Sequence, residues 1–419
     1  MPLFYQINLS KDDFMTSQLI LLNGFGIALA SDSAMTLGNK RTYETAEKVI
    51  PLPMPHRIAV LHSGSVTIHG MPYSVLVNEW ANSLGATPLR TVALYRQNFL
   101  SWLNDNHDWV TPSRAAEDFM YQLKDIYRII WNKIKENIDT DASELEQQEK
   151  CLAIFTDYTS KYSEYASLSH SEGDWTNQAY SRIETEVIKS RNYWFDDIPM
   201  NDEINEQINT FTRLYLERGH FLNRAGLAFA GFGDKQLLPS YANVDIGGIM
   251  NESLLYEFDG ERNAEPGESG YFGICPIGQS DSINLVLRGL DYRLVGIARD
   301  AVVKSIFAHS DEDSDDPSNE KSADEPAIEV DPALSDQLYA AIEDSFQAWS
   351  EDNYLKGLRS AIASLPVASL ATVAQSLIEV QSLSQTITGE MGTVGGPIDV
   401  ATISREHGFQ WVRHKSTSA

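Results

Sequence analysis

The sequence predicts an α+β fold, and three observations predict it. Short apolar runs separated by turn signals open the chain, a long middle stretch repeats its apolar residues every three to four positions, and strand-like alternation returns at the end. Strands therefore come first and last, with helices between.

Residues 18–31 read as strand, turn, strand: "QLILL", the Asn-Gly turn signal in "NGFG", then "IALAS". Counting outward from a turn at Asn23-Gly24 pairs Leu22 with Phe25 and sets Thr16 opposite Ser31, one position from Asp32. "KVIPL" and "HRIAVLHSGS" predict two further strands near 48–52 and 57–62. From about residue 72 to 222 the spacing is helical, and the aromatic stripe that includes Trp102, Phe119, Tyr127 and Trp131 reads as core packing. A second strand block runs from "RAGLAFAGFGDKQLLPSY" through "ANVDIGGIMNESLLYEFDG" to "GYFGICPIG". "SDSINLVLRGLDYRLVGIARDAVVKSIFAHS" then predicts one long helix with an acidic start that suits the helix dipole. Residues 310–331 are acidic and poor in aromatics, so burial cannot repay their ordering; they read as a flexible insertion, with a docking tail for a basic partner as the alternative. "LPVASLATVAQSLIEVQSLSQTI" is helical, and "VGGPIDVATISREHGFQWVRH" reads as a closing hairpin. No repeat of 20 to 50 residues is visible, which disfavours solenoids and propellers.

Composition narrows the function classes. With 419 residues, 42% hydrophobic and 22% charged, the chain can bury a large core. A net charge of −27 removes the electrostatic basis for nucleic-acid binding. Two cysteines, Cys151 and Cys275, supply neither a disulfide framework nor a zinc set, and Cys275 reads as a small buried apolar group. The chain shows no secretory leader and no uncharged apolar run of about 18 residues, so the expectation is a cytoplasmic protein with no membrane contact. Among motifs, a phosphate-cradling Gly-Lys loop, a G-x-S-x-G elbow and H-E-x-x-H are all absent.

Chemistry concentrates on Thr16, Asp32 and Lys48, spaced sixteen residues apart in each step. If the strand starting at Lys48 lies alongside, an ammonium and a carboxylate converge near the Thr16 hydroxyl. A threonine hydroxyl is a weak nucleophile and needs a base, which its own amine becomes once it is free, because an α-amino group titrates near working pH, at about 7.7–8.0. Lys48, held by Asp32, would favour the unprotonated amine and stabilise developing negative charge. Backbone amides at the "HSGS" bend, around Ser63 and Gly64, could form an oxyanion site. His62 beside that bend reads as a hydrogen-bonded structural residue.

At these positions the sequence resembles the proteasome β-subunit family, as a divergent bacterial-type member. The matching features are Thr16; "ASDSAMTLGN" with Asp32, Thr36 and Gly38; Lys48 in "EKVIPL"; "LHSGS"; "AGFGDKQLLPSYANVDIGG"; and "VGGPIDVATI". The match covers roughly half the chain, leaving much of 85–222 and all of 310–331 as insertions in a single domain spanning 16–419. The resemblance implies a four-layer αββα sandwich of the N-terminal-nucleophile hydrolase type and threonine endopeptidase activity without cofactor or metal. It also implies a homo-oligomeric ring taking peptide or unfolded protein, and leaves open an unfolding ATPase as partner. Thr16, Asp32 and Lys48 carry over as catalytic, Thr36 as a substrate main-chain contact, and the "HSGS" turn as oxyanion donor. The family's supporting Ser and late Asp have no clean counterparts; Ser280 or Ser282 and Glu390 lie nearest. Met15 stands where self-cleaving members carry Gly, and Ser63 where Gly is usual. Residues 1–15 are then expected to be a removed propeptide or an over-extended start, since initiation at Met15 would let methionine removal expose Thr16. Two alternatives stand beside this reading: a non-catalytic ring or regulatory subunit, and an amidase acting on small amides.

Overall fold

The computed structural model describes residues 16–37, 41–43, 47–138, 142–165, 167–168, 174–218, 224–257, 261–267, 270–308, 332–388 and 394–415. The acidic stretch 310–331, Glu390 and residues 1–15 lie outside them.

Two antiparallel sheets carry the fold. The first runs β13 (Glu265–Gly267), β14 (Gly270–Gly278), β1 (Ser17–Asn23), β2 (Gly26–Ser31), β15 (Asp399–Ser404), β16 (Gly408–Arg413). The second runs β11 (Ser253–Glu257), β10 (Ser240–Met250), β9 (Ala225–Phe232), β6 (Arg57–Gly64), β5 (Val49–Pro51), with β12 (Glu261–Asn263) paired to β10.

β1 is buried along its whole length because its two faces meet different layers. A strand's side chains alternate faces, so Ile20 and Leu22 join Ala59, Leu61 and Ala230 in a core between the sheets, while Leu19 and Leu21 pack outward. Their outer partners are helices α7 (Asp281–Arg288), α10 (Lys356–Ser364) and α11 (Val367–Thr388). β2 turns Ala28 and Ala30 to the same side, and these small residues let α11 come close. On the far side, Ile58 and Val60 of β6 pack with α1 (Tyr73–Ser83) and α2 (Val92–Asp105). The layers are thus helices, sheet, sheet, helices.

Four further helices, α3 (Pro112–Asn137), α4 (Glu144–Ser163), α5 (Trp175–Phe195) and α6 (Asp202–Arg218), gather a separate core around Tyr127, Phe155, Phe195 and Phe211. Thr111 caps α3, with Pro112 in its first turn, and Ser143 with Glu146 forms a capping box on α4. This core reaches the sheets through Met250 and Leu255. Phe119 and Tyr127 are buried in it as the aromatic stripe suggested, and Trp131 packs on its margin; Trp102 packs against the core under α2.

Two local expectations are corrected. The hairpin turn is Gly24-Phe25, one residue further along than expected, with Asn23 facing Gly26 and Gln18 facing Ser31, so every cross-strand partner differs by two residues from the register counted from sequence. Asn23 is the last strand residue because its side chain is committed: its carbonyl accepts the Phe25 N–H at 2.9 Å and its amide donates to the Ile362 and Leu365 carbonyls at 2.8 Å each. The single long helix expected after residue 280 is two, α7 and α8 (Tyr292–Ala308). Gly289, at φ +67°, closes α7, its N–H donating to Leu285. The helical tail continues through α9 (Pro332–Ser350) and a π-helical turn, Glu351–Leu355, into α10. Among the described residues no helix is long and apolar enough to cross a membrane.

Candidate functional site

Thr16 immediately precedes β1 of the first sheet, and Lys48 immediately precedes β5 of the second, so the lysine comes from across the sandwich and not from a strand alongside the hairpin. Thr16 is 3% exposed and its carbonyl accepts the Gln279 N–H at 2.7 Å. The adjacent Gly278, at φ +75°, must be glycine, since a Cβ there would sit 2.2 Å from the Thr16 carbonyl oxygen.

The corrected register brings Asp32 to this end of the sheet, where its own N–H donates to the Ser17 carbonyl at 3.1 Å. Its Oδ1 accepts from Lys48 Nζ at 2.7 Å, the Ser17 N–H at 3.0 Å and the Thr16 hydroxyl at 3.3 Å. Its Oδ2 accepts from the N–H groups of Ala34 at 3.3 Å and Gly395 at 3.2 Å. Five donors converge on one buried carboxylate, which is what makes burying that charge tolerable. Gly395 was legible only as part of the quoted "VGGPIDV" segment; nothing in the sequence marked its N–H as a partner of Asp32.

Burial pulls the Lys48 ammonium below the ordinary lysine range, and the Asp32 carboxylate opposes that shift. Lys48 also lies in the field of Lys415, whose Nζ pairs with the buried Asp399 at 2.9 Å. His62 is neutral. Its Nε2–H donates to the Glu47 carbonyl at 2.9 Å, and burial lowers its pKa to about 4. Gln18 ties the two sheets beneath the site, donating from Nε2 to Ser31 Oγ at 3.1 Å and to the His62 carbonyl at 3.0 Å.

Thr16, Lys48, Ser63 and Gly64 open onto one cleft of about 430 Å³, with Asp32 behind them. On β6 the His62 N–H donates to the Lys48 carbonyl at 3.1 Å. Gly64 takes φ +72°, and a Cβ there would fall 2.4 Å from the Arg224 carbonyl oxygen, so glycine is required at the bend.

Thr36, Ser280 and Ser282 are the remaining candidates. Thr36 lies in the short strand β3 (Met35–Leu37), opposite Thr42 of β4 (Arg41–Tyr43). Ser280 precedes α7 and accepts from Asn284 Nδ2 at 3.0 Å, while the Ser282 N–H donates to Gln381 Oε1 at 2.9 Å; neither lines the cleft. Ser280 follows Gln279, whose N–H donates to the Thr16 carbonyl, yet neither serine reaches the cleft wall where the supporting role was expected. Among the described residues no three His, Cys, Asp or Glu side chains gather as a metal site would need.

No family model matches the chain, and no curated protein does. Solved structures similar to it include Anbu (ancestral beta-subunit) from Yersinia bercovieri, at 9% identity and a TM-score of 0.29, covering 96% of this chain and 88% of that one. Anbu from Hyphomicrobium sp. strain MC1 has 9% identity, the same coverages and a TM-score of 0.28. At scores this low, the functional case rests on the site's own geometry.

Proposed function

We propose that the protein is a threonine-type N-terminal-nucleophile hydrolase of proteasome-like architecture that cleaves peptide bonds at Thr16. The observation that carries this reading is the shared Asp32 Oδ1, which receives the Thr16 hydroxyl, the Ser17 N–H and the Lys48 ammonium at the wall of one cleft.

The chemistry requires release of whatever precedes Thr16, so that its amine is free. That amine takes the hydroxyl proton as Oγ1 attacks the substrate carbonyl, and the proton then passes to the departing amine as the C–N bond breaks. An ester on Thr16 results, which water cleaves to regenerate the hydroxyl. Lys48 supplies positive potential beside the reacting oxygen, and the N–H groups around Ser63 and Gly64 are the candidate oxyanion donors. Asp32 holds Lys48 and the start of β1 in place. Thr36 is assigned the substrate main chain by sequence resemblance, which also supplies a homo-oligomeric ring for peptide or unfolded protein.

Mass spectrometry of native protein combined with fluorogenic-peptide assays tests this. Protein beginning at Thr16 should turn over peptides, and Thr16→Ala should lower kcat/KM by about a thousandfold or more. Turnover by material whose Thr16 amine is still acylated would overturn the mechanism. Protein with a free Thr16 amine and no turnover of any peptide would mark a non-catalytic subunit.

A further inference from the structure

The cleft has a second wall that the chemistry above does not use. It comes from α3, the first helix of the four-helix unit, whose Arg114, Asp118, Tyr121 and Gln122 line the cavity that Thr16 opens into. Two hydrogen-bonded ties seat this helix. The first is His69, at the turn between β7 (Thr67–Ile68) and β8 (Met71–Pro72). Its Nε2 accepts the Ile249 N–H of β10 at 2.7 Å, so Nδ1 carries the proton and donates to Asp118 at 2.8 Å. Asp118 also pairs with Arg114 at 3.2 Å. In the second tie, Gln122 Nε2 donates to the Gly247 carbonyl at 3.2 Å. Gly247 is the extra residue where the β10–β11 register shifts between Ile246 and Gly248, so its carbonyl is turned out of the ladder. His69 holds φ +49°, a conformation costly for a non-glycine residue.

The charges on this side are matched among themselves. Arg114 pairs with Asp118, and Arg224 with Asp245 and Glu257 at 3.5 Å each. What is left for a ligand is a mixed floor, with Ser65 and Thr67 beside Val66, and one large apolar surface, the Tyr121 ring, 66% exposed and standing at the edge. We infer that α3 is the specificity wall of this cleft, seated by His69 through Asp118 and by Gln122 through Gly247, and that it selects peptides placing an apolar side chain against Tyr121. A charged side chain there would compete with the Arg114–Asp118 pair for its partner. The four-helix unit thereby reads the substrate, while the strand ends act on it.

This inference rests on the cleft being where peptides bind, so its test separates binding from chemistry. Fluorescein-labelled decapeptides that differ only in carrying Leu, Glu or Lys at one position are titrated against Thr16→Ala protein by anisotropy, with Tyr121→Ala or His69→Asn added. Asn tolerates left-handed backbone, so His69→Asn removes the reach to Asp118 without straining the turn. We expect Leu-bearing peptides to bind best and to weaken roughly five- to tenfold with Tyr121→Ala. His69→Asn should give a similar loss, together with faster amide exchange across the first turns of α3. Equal affinity for all three peptides, or unchanged affinity in both variants, would overturn the wall. Unchanged exchange in His69→Asn would remove the tie. Peptide binding that depends on Tyr121, in a protein that never cleaves, would sink the threonine chemistry and leave the wall standing.

Discussion

Two ion pairs of almost equal length occupy opposite kinds of place in this molecule. Lys48 and Asp32 meet at 2.7 Å where the two sheets end, with side chains 4% and 0% exposed, while Lys161 and Asp157 meet at 2.6 Å on the outer face of α4, each about half exposed. Distance does not separate them; solvent does. At the sheet ends the charges have lost water and depend on fixed donors, five of which reach Asp32, whereas on α4 water and salt stand ready to replace either partner. The interior pair can therefore be poised chemically in a way the surface pair cannot, and the first sign is a lysine pulled below its ordinary range.

Breaking the interior pair should have the largest effect. Asp32→Ala leaves the Lys48 ammonium buried and unpaired, and denaturant titration should show a loss of about 3–5 kcal/mol. Replacing both partners together, Asp32→Leu with Lys48→Met, should return much of that stability while peptide turnover stays lost; if the double variant is no more stable than Asp32→Ala, the cost does not lie in an uncompensated charge.

Acid probes the same region through His62. It is held neutral with a pKa near 4, while an unfolded histidine titrates at about 6.5, so the unfolded chain binds the extra proton across that interval. Stability then falls as pH drops from about 6.5 towards 4, by on the order of 3 kcal/mol from this residue. His62→Gln should flatten that part of the pH–stability curve, measured by thermal unfolding across the interval. An unchanged slope would mean that His62 already takes up its proton in the folded protein.

Gly64→Ala comes next. It places a methyl against the Arg224 carbonyl and demands left-handed backbone, costing about 1–2 kcal/mol for the conformation alone. Turnover should fall further than the loss of stability explains, because the bend carries the candidate oxyanion N–H. The smallest effect belongs to Lys161→Ala, about 0.5 kcal/mol or less and erased by molar salt, as parallel unfolding curves would show.

Much of this was legible in the chain, and the parts that were not share a cause. The spacing of Thr16 and Asp32 placed those two together because hairpin geometry converts sequence separation into proximity. Lys48 joins them from the second sheet, across the sandwich and not from a strand alongside the hairpin. The turn moved by one residue, and the pairing by two, because the Asn-Gly signal is local, whereas Asn23 is held by carbonyls of Ile362 and Leu365 more than 300 residues away. The break between α7 and α8 was misread because apolar spacing continues across Gly289, and only its positive φ ends the helix. Nothing in the sequence connected His69 with Asp118 and Ile249, since that wall joins a tight turn, a helix and a bulged strand through single side chains.

The attachment of Thr16 has a consequence for how such a residue could be matured. Its side chain is anchored to Asp32 and its carbonyl to Gln279, and the sheet pairing of β1 begins at Ser17. Cutting the backbone upstream therefore severs none of these anchors, and the freshly made terminus is already docked when it appears. Maturation would need no refolding of the strand, only a scissile bond reachable from solvent.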